Sequence, residues 1–227
     1  MARRTPRAVV ATAVLGALVF AGALGGAALT RSQTQIAGIP SVPPPPPPST
    51  GPAAGGCLRE PCRVVGAATL GDTRIELVAD SGGMTGRLRI GSPGASRVIE
   101  VGGIGRLVES GPLQCYPASI SACLVRAEGE QGLTGVVVVG RSDKWSKLER
   151  PYLSTAGFLG LNNVVADSGP EVIAAQCSDE ACEYGVYGQV FTLAGTTVGC
   201  TRQYASTAEL PGYPSVALSS ARLGECG

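Results

Sequence analysis

From Arg63 onward the chain is a succession of short runs of β-favouring residues, each closed by Gly, Ser, Pro or Asp, and no stretch of ten or more residues carries a helical period free of glycine. A chain of this kind folds as sheets. The pattern predicts strands at Arg63–Leu70, Thr73–Ala79, Gly86–Ile90, Arg97–Val101, Gly105–Glu109, Ala122–Glu128, Leu133–Gly140, Phe158–Val165, Glu171–Gln176, Tyr184–Leu193, Thr197–Gln203 and Ser215–Leu218. Gly71-Asp72, Ser81-Gly82-Gly83, Glu128-Gly129-Glu130 and Ala194-Gly195-Thr196 supply the tight connections. The class is all-β.

Two of these runs differ in a way that bears on packing. Thr73, Ile75 and Leu77 alternate with Arg74, Glu76 and Val78, as in a half-exposed strand. Val136 to Val139 is apolar without a break, which suits a strand covered on both faces. Antiparallel sheets in a sandwich, a barrel or a small propeller-like arrangement all accommodate that mixture.

The covalent frame comes from eight cysteines: Cys57, Cys62, Cys115, Cys123, Cys177, Cys182, Cys200 and Cys226. Their even number argues for disulfides, and the gaps inside the close pairs are not the two-residue gaps of four-cysteine zinc sites. Proximity pairs Cys57 with Cys62, Cys115 with Cys123 and Cys177 with Cys182, which leaves Cys200 for Cys226. No two-residue dithiol spacing is present, and Cys177-Ser-Asp-Glu-Ala-Cys182 is acidic, which raises rather than lowers a thiol pKa.

Everything before Cys57 has a different character. Ala8 to Thr30 holds no charge and at 1.5 Å per residue is long enough to cross a bilayer as a helix. Arg3, Arg4 and Arg7 precede it and Arg31 follows, so the N-terminus is expected in the cytoplasm and the remainder outside. The reading adopted for residues 1–31 is a cytoplasmic tip with a transmembrane anchor; the alternative is a signal cleaved near Ala21-Gly22-Ala23 or Gly26-Ala27-Ala28, which leaves a secreted protein. Residues 32–56 include Pro43 to Pro48 and read as a polyproline II spacer that holds residues 57–227 off the membrane.

Composition removes several chemistries. There is no histidine, so Ser-His and Cys-His nucleophile pairs and histidine metal sites are absent, and neither a cofactor nor a metal is expected. Residues 57–227 keep 14 of the 18 basic residues against all 17 acidic ones, a balance that does not suit nucleic acid. Carboxylates remain. Asp80 and Asp167 lie in the same phrase, VADSG, at Val78–Gly82 and Val165–Gly169, and face one another as a paired-acid site only if the two copies are related by symmetry. The simpler reading is that each aspartate caps its own turn. Ser142 and Lys144 form a Ser-Lys pair only if the lysine is buried. Trp145 stands in a charged loop, covering a sheet edge or offering an indole to a ligand. Tyr184, Tyr187, Phe191, Tyr204 and Tyr213 gather in the last third; Tyr187 and Phe191 are expected in the core, the alternative being an aromatic binding platform.

Asp167-Ser168-Gly169-Pro170-Glu171-Val172-Ile173, with the run before it, resembles over about 15 residues a repeat of the integrin-like FG-GAP or VCBS β-propellers. The resemblance implies a propeller-like stack of antiparallel blades. In that family spaced Asp or Asn residues of the turn bind calcium, whereas Asn162, Asn163 and Asp167 lack that spacing, so no metal ligands carry over.

These readings converge on a noncatalytic, membrane-tethered module outside the cytoplasm that binds an envelope protein or glycan. A carboxylate-dependent secreted or surface hydrolase is the alternative, and a subunit accessory to a membrane complex is a third. Peptide mapping without reductant should return Cys57 linked to Cys62 and Cys200 linked to Cys226. A dominant bond between distant pairs, such as Cys62 to Cys177, would overturn the local frame.

Overall fold

The structure, a computed structural model, describes residues 59–92 and 95–226. The N-terminal apolar segment, the proline-rich spacer and Cys57 lie outside the described residues. No helix among the described residues is long and apolar enough to cross a membrane.

Strands β1 (Arg63–Leu70), β2 (Thr73–Ala79), β3 (Gly86–Ile90) and β4 (Arg97–Glu100) form the first sheet in sequence order, all antiparallel. The second sheet holds β5 (Arg106–Leu107), β6 (Leu113–Tyr116), β7 (Ser121–Gly129), β8 (Gly132–Arg141), β9 (Lys144–Lys147) and β10 (Tyr152–Ser154). Here β6 to β9 make a consecutive up-and-down meander, while β5 shares β7 with β6 and β10 shares β8 with β9. The third sheet is β11 (Leu159–Asn162), β12 (Glu171–Cys177), β13 (Val186–Phe191) and β14 (Thr197–Cys200), again in sequence order. Each sheet is therefore built on four successive antiparallel strands, and β6 lies against both β1 and β11, so the first strands of the three meanders are neighbours. Gly66 of β1 permits that approach, because a Cβ there would stand 2.8 Å from the Leu113 Cβ of β6.

The second sheet is the middle layer. Cys123, Val125 and Ala127 of β7 with Val136 and Val138 of β8 face the first sheet, where Ile75, Leu77, Leu88 and Ile90 meet them. The intervening Ala122, Leu124 and Val137 face the third sheet and pack on Leu159, Leu161, Val172 and Ala174. The unbroken valine run thus reflects burial on both faces. Trp145 lies in β9, not in a loop, and is only 5% exposed. Its indole covers its cross-strand partner Gly140, where a Cβ would come within 2.5 Å of the ring. It belongs to the core between the first two sheets and is closed to any ligand.

Both ends of the stack are finished differently. The outer side of the first sheet carries charge, with Arg74 and Arg89 on Glu76 at 2.6 and 3.0 Å and Arg87 on Glu100 at 2.7 Å. The outer side of the third sheet is apolar, and the C-terminal segment covers it: Leu210, Val216 and Leu218 pack on Ile173, Ala175 and Val190. That segment is tied back by bridges from Tyr204 to Val186 and from Gly224 to Cys200 and by the Cys200–Cys226 disulfide. Residues 215–218 are consequently not a strand, although their alternation suggests one; Val216 and Leu218 are buried by an irregular chain.

Other departures have local causes. Gly105–Glu109 contracts to two residues at a sheet corner. The strand expected over Phe158–Val165 stops at Asn162, because the Glu171 carboxylate accepts the N–H groups of Val164 and Val165 and turns the chain. In β13 the deeper side is Val186, Gly188 and Val190, so Tyr187 is half-buried rather than in the core; Phe191, also half-buried, meets Tyr152 edge-on at 5.7 Å. Cys115–Cys123 joins directly opposite residues of β6 and β7, and Cys177–Cys182 closes the turn after β12. Cys62 is also disulfide-bonded. Disulfides in this number suit an oxidising compartment and are consistent with a location outside the cytoplasm.

Leu210→Ala should remove about 2–5 kcal/mol from the unfolding free energy, because it opens a cavity under the C-terminal segment. Glu100→Gln on the charged outer face should change it by less than about 1 kcal/mol. Urea denaturation of the two variants measures both, and equal effects would contradict this division between packed strap and solvated face.

Candidate functional site

Asp80 follows β2 and is 1% exposed. Its Oδ1 accepts from the N–H groups of Gly82 and Met84 at 3.2 and 3.1 Å, and its Oδ2 accepts from the Thr85 hydroxyl at 2.7 Å. The Thr85 hydroxyl, helped by these backbone donors and opposed by burial, holds the Asp80 carboxyl below the usual carboxylate range. Asp167 lies in the β11–β12 connection, exposed, with its Oδ1 on the Gly169 N–H at 2.9 Å. The two VADSG copies occupy non-equivalent places, the second hairpin of the first sheet and the first hairpin of the third, with the second sheet between. Both aspartates act as turn caps, and they do not form a pair.

Ser142 and Lys144 stand at the β8–β9 turn, both exposed, so the buried lysine a Ser-Lys mechanism needs is not there. The five aromatics of the last third do not form one platform. Tyr184 is 77% exposed beyond the Cys177–Cys182 loop, Tyr204 lies under the Arg202 guanidinium at 4.6 Å, and Tyr213 packs toward Phe158 with ring centres 6.5 Å apart.

The arrangement with most chemical content lies where β6 and β7 meet β11, and sequence patterning did not single out its members. Gln114 of β6 uses its amide as a substitute strand. Its Nε2 donates to the Leu161 carbonyl at 3.2 Å, and its Oε1 accepts the Leu161 N–H at 3.1 Å. Arg126 of β7 lies on the side of the sheet that faces β11, two residues beyond the buried Leu124. Its Nη1 donates to the Leu159 carbonyl at 3.0 Å, its Nε donates to the Gly111 carbonyl at 3.0 Å, and its Nη2 donates to the same oxygen. Burial pushes the guanidinium below its ordinary value, yet far above neutrality it stays charged. The ion pairs Arg74–Glu76, Arg89–Glu76 and Arg87–Glu100 are all on the first sheet, and Arg126 has no carboxylate partner among the described residues.

Around this cation is a hollow of about 210 Å³ walled by Gln114, Arg126, Phe158, Asn162, Ser215 and Val216. Gly160 keeps it open, since a Cβ there would be 2.9 Å from the Phe158 ring and 3.4 Å from the Gln114 Oε1. Asn162 donates from Nδ2 to the Val216 carbonyl at 3.4 Å, linking β11 to the C-terminal segment. A second hollow of about 430 Å³ on the other side of Arg126 includes Glu128 and Ser110. A third hollow, of about 510 Å³, is beside the start of β1. Among the described residues no group of three or more Cys, Asp or Glu side chains is placed to hold a metal ion. Compared with known proteins, the chain matches no family model, no curated protein and no solved structure.

The Asp80 shift has a defined sign. A carboxyl lowered by folding stabilises the fold at pH values above its unfolded pKa, about 3.9, and that contribution is lost as pH falls through the folded value. Thermal unfolding of Asp80→Asn should therefore show a shallower loss of Tm on acidification below about pH 4 than the parent protein. An unchanged acid slope would show that Asp80 is not a capping carboxylate.

Proposed function

We propose that this protein is a noncatalytic binding module displayed outside the cytoplasm, tethered by the N-terminal apolar segment and spaced from the membrane by the proline-rich stretch. The observation that carries the reading is the Arg126 hollow. A half-buried guanidinium held only by backbone carbonyls, beside an aromatic ring, a hydroxyl and an amide, is a recognition surface: it orients a ligand, and its walls hold no base to activate the hydroxyl. The disulfide frame suits such a role, since the second and third sheets that define the hollow are each internally cross-linked. We also read the three successive meanders, with their first strands adjacent, as propeller-like, in keeping with the FG-GAP or VCBS resemblance around Asp167.

The hydrolase alternative depends on Asp80 and Asp167 acting together, and their separate turns on the first and third sheets weigh against it. Co-sedimentation of the full-length protein with isolated cell-envelope polysaccharide separates the readings. Saturable sedimentation without release of reducing ends is the expected result. Reducing ends released by the parent and not by a folded Asp80→Asn, Asp167→Asn variant would establish the hydrolase instead, and absence of sedimentation would remove the envelope-polysaccharide reading.

A further inference from the structure

We propose that the hollow between Arg126 and the C-terminal segment is a subsite for one carboxylated sugar residue, with the sugar carboxylate on Arg126. The proposal rests on the binding-module reading and names the ligand class for it.

Charge is the first argument. Of the five N–H groups of Arg126, three are donated to Gly111 and Leu159, which leaves one on each terminal nitrogen. The walls of the hollow contribute no acid, so nothing in it neutralises the guanidinium. The Ser215 hydroxyl makes no hydrogen bond among the described residues, and Ser215 is exposed at the mouth, where it can donate to the same anion or to a sugar hydroxyl. An anion entering here gains charge-assisted bonds to a cation that has already lost part of its hydration.

Size and shape narrow the anion. About 210 Å³ is less than a drug-sized pocket and suits a single ring. Phe158 gives that ring an apolar wall, continued outward by Tyr213, while Asn162 offers its amide oxygen, which has no other partner among the described residues, to a hydroxyl.

A peptide is disfavoured by the backbone itself. The edge of β11 that no strand pairs is the place where an extended peptide would add as a strand, but Gln114 already takes the Leu161 N–H and carbonyl, and Arg126 takes the Leu159 carbonyl. The ladder is occupied by side chains. What remains open is a pocket for a compact acid with hydroxyls around it.

The test is calorimetric titration of the full-length protein at low salt with glucuronate, with glucose, which replaces the carboxylate by a neutral hydroxymethyl group, and with N-acetylglycine, a peptide-like carboxylate. Saturable binding of glucuronate is expected, with glucose and N-acetylglycine each weaker by about tenfold or more. Ser215→Glu puts a negative charge in the mouth at an exposed position, keeps Arg126 and its backbone bonds, and should weaken glucuronate by about tenfold or more without lowering Tm. Arg126→Lys, which keeps charge and loses the fork, should fall between. Glucose binding as tightly as glucuronate, N-acetylglycine binding more tightly, no binding of glucuronate, or Ser215→Glu binding like the parent would each overturn the subsite. Sedimentation with envelope polysaccharide that survives Ser215→Glu would leave the module reading standing while removing this site from it.

Discussion

The second sheet is apolar on both faces, and the remainder of the described structure follows from having to cover it twice. Val137 points to one neighbour while Val136 and Val138 point to the other, and each face buries aliphatic side chains from a different sheet. At about 25 cal/mol for each Å² of apolar surface removed from water, neither face is tolerable in solvent. A middle layer of this kind demands two outer layers. The outer layers then each present a further face, and the chain treats these in opposite ways: paired charges on the first sheet, and a disulfide-tied strap over the apolar face of the third. Stacked repeats need terminal units with a finished outer surface for the same reason.

The candidate site grows out of a second requirement, that strand edges not be left open. Where β6 and β7 approach β11, no strand is available to pair with it, and unpaired backbone groups half-removed from water are costly at about 1–3 kcal/mol each. Gln114 and Arg126 satisfy those groups from the side. A guanidinium recruited for that purpose is rigidly held and retains donors of its own. Structural and recognition roles therefore meet in one residue; the ring of Phe158 and the amide of Asn162 approach it from the third sheet, and the strap residue Ser215 approaches from the C-terminal segment.

How far the sequence conveyed this depends on the range of the interactions involved. β1, β2 and β3 begin and end where alternation and the flanking turns put them, because a hairpin with one buried face is specified by neighbours in sequence. The sequence pattern does not mark β6, β9 or β10. Leu113–Tyr116 sits between Pro112 and Pro117, Lys144–Lys147 begins and ends on a lysine, and Tyr152–Ser154 is three residues long, so none carries a pattern that local propensity can weigh. The reverse holds at residues 215–218, where alternating Val216 and Leu218 suggest a strand but packing against the third sheet, not pairing, is what buries them. The VADSG echo marked two turns correctly and misled only in suggesting that they were symmetry mates.

By itself the sequence determined the β class, the two-faced burial of Val136–Val139, the local cysteine pairs at 115–123 and 177–182, and the absence of imidazole chemistry, since each depends on composition or on residues close along the chain; the pair 200–226, 26 residues apart, follows from it only by elimination. Only the tertiary structure decided that Asp80 and Asp167 are separated by a sheet, that Trp145 is core, and that Gln114, Arg126, Phe158, Asn162 and Ser215 share one hollow. Those residues come from β6, β7, β11, its lead-in and the C-terminal segment. What unites them is the stacking of the second and third sheets and the return of the strap, a long-range outcome of burying apolar faces that no local pattern records.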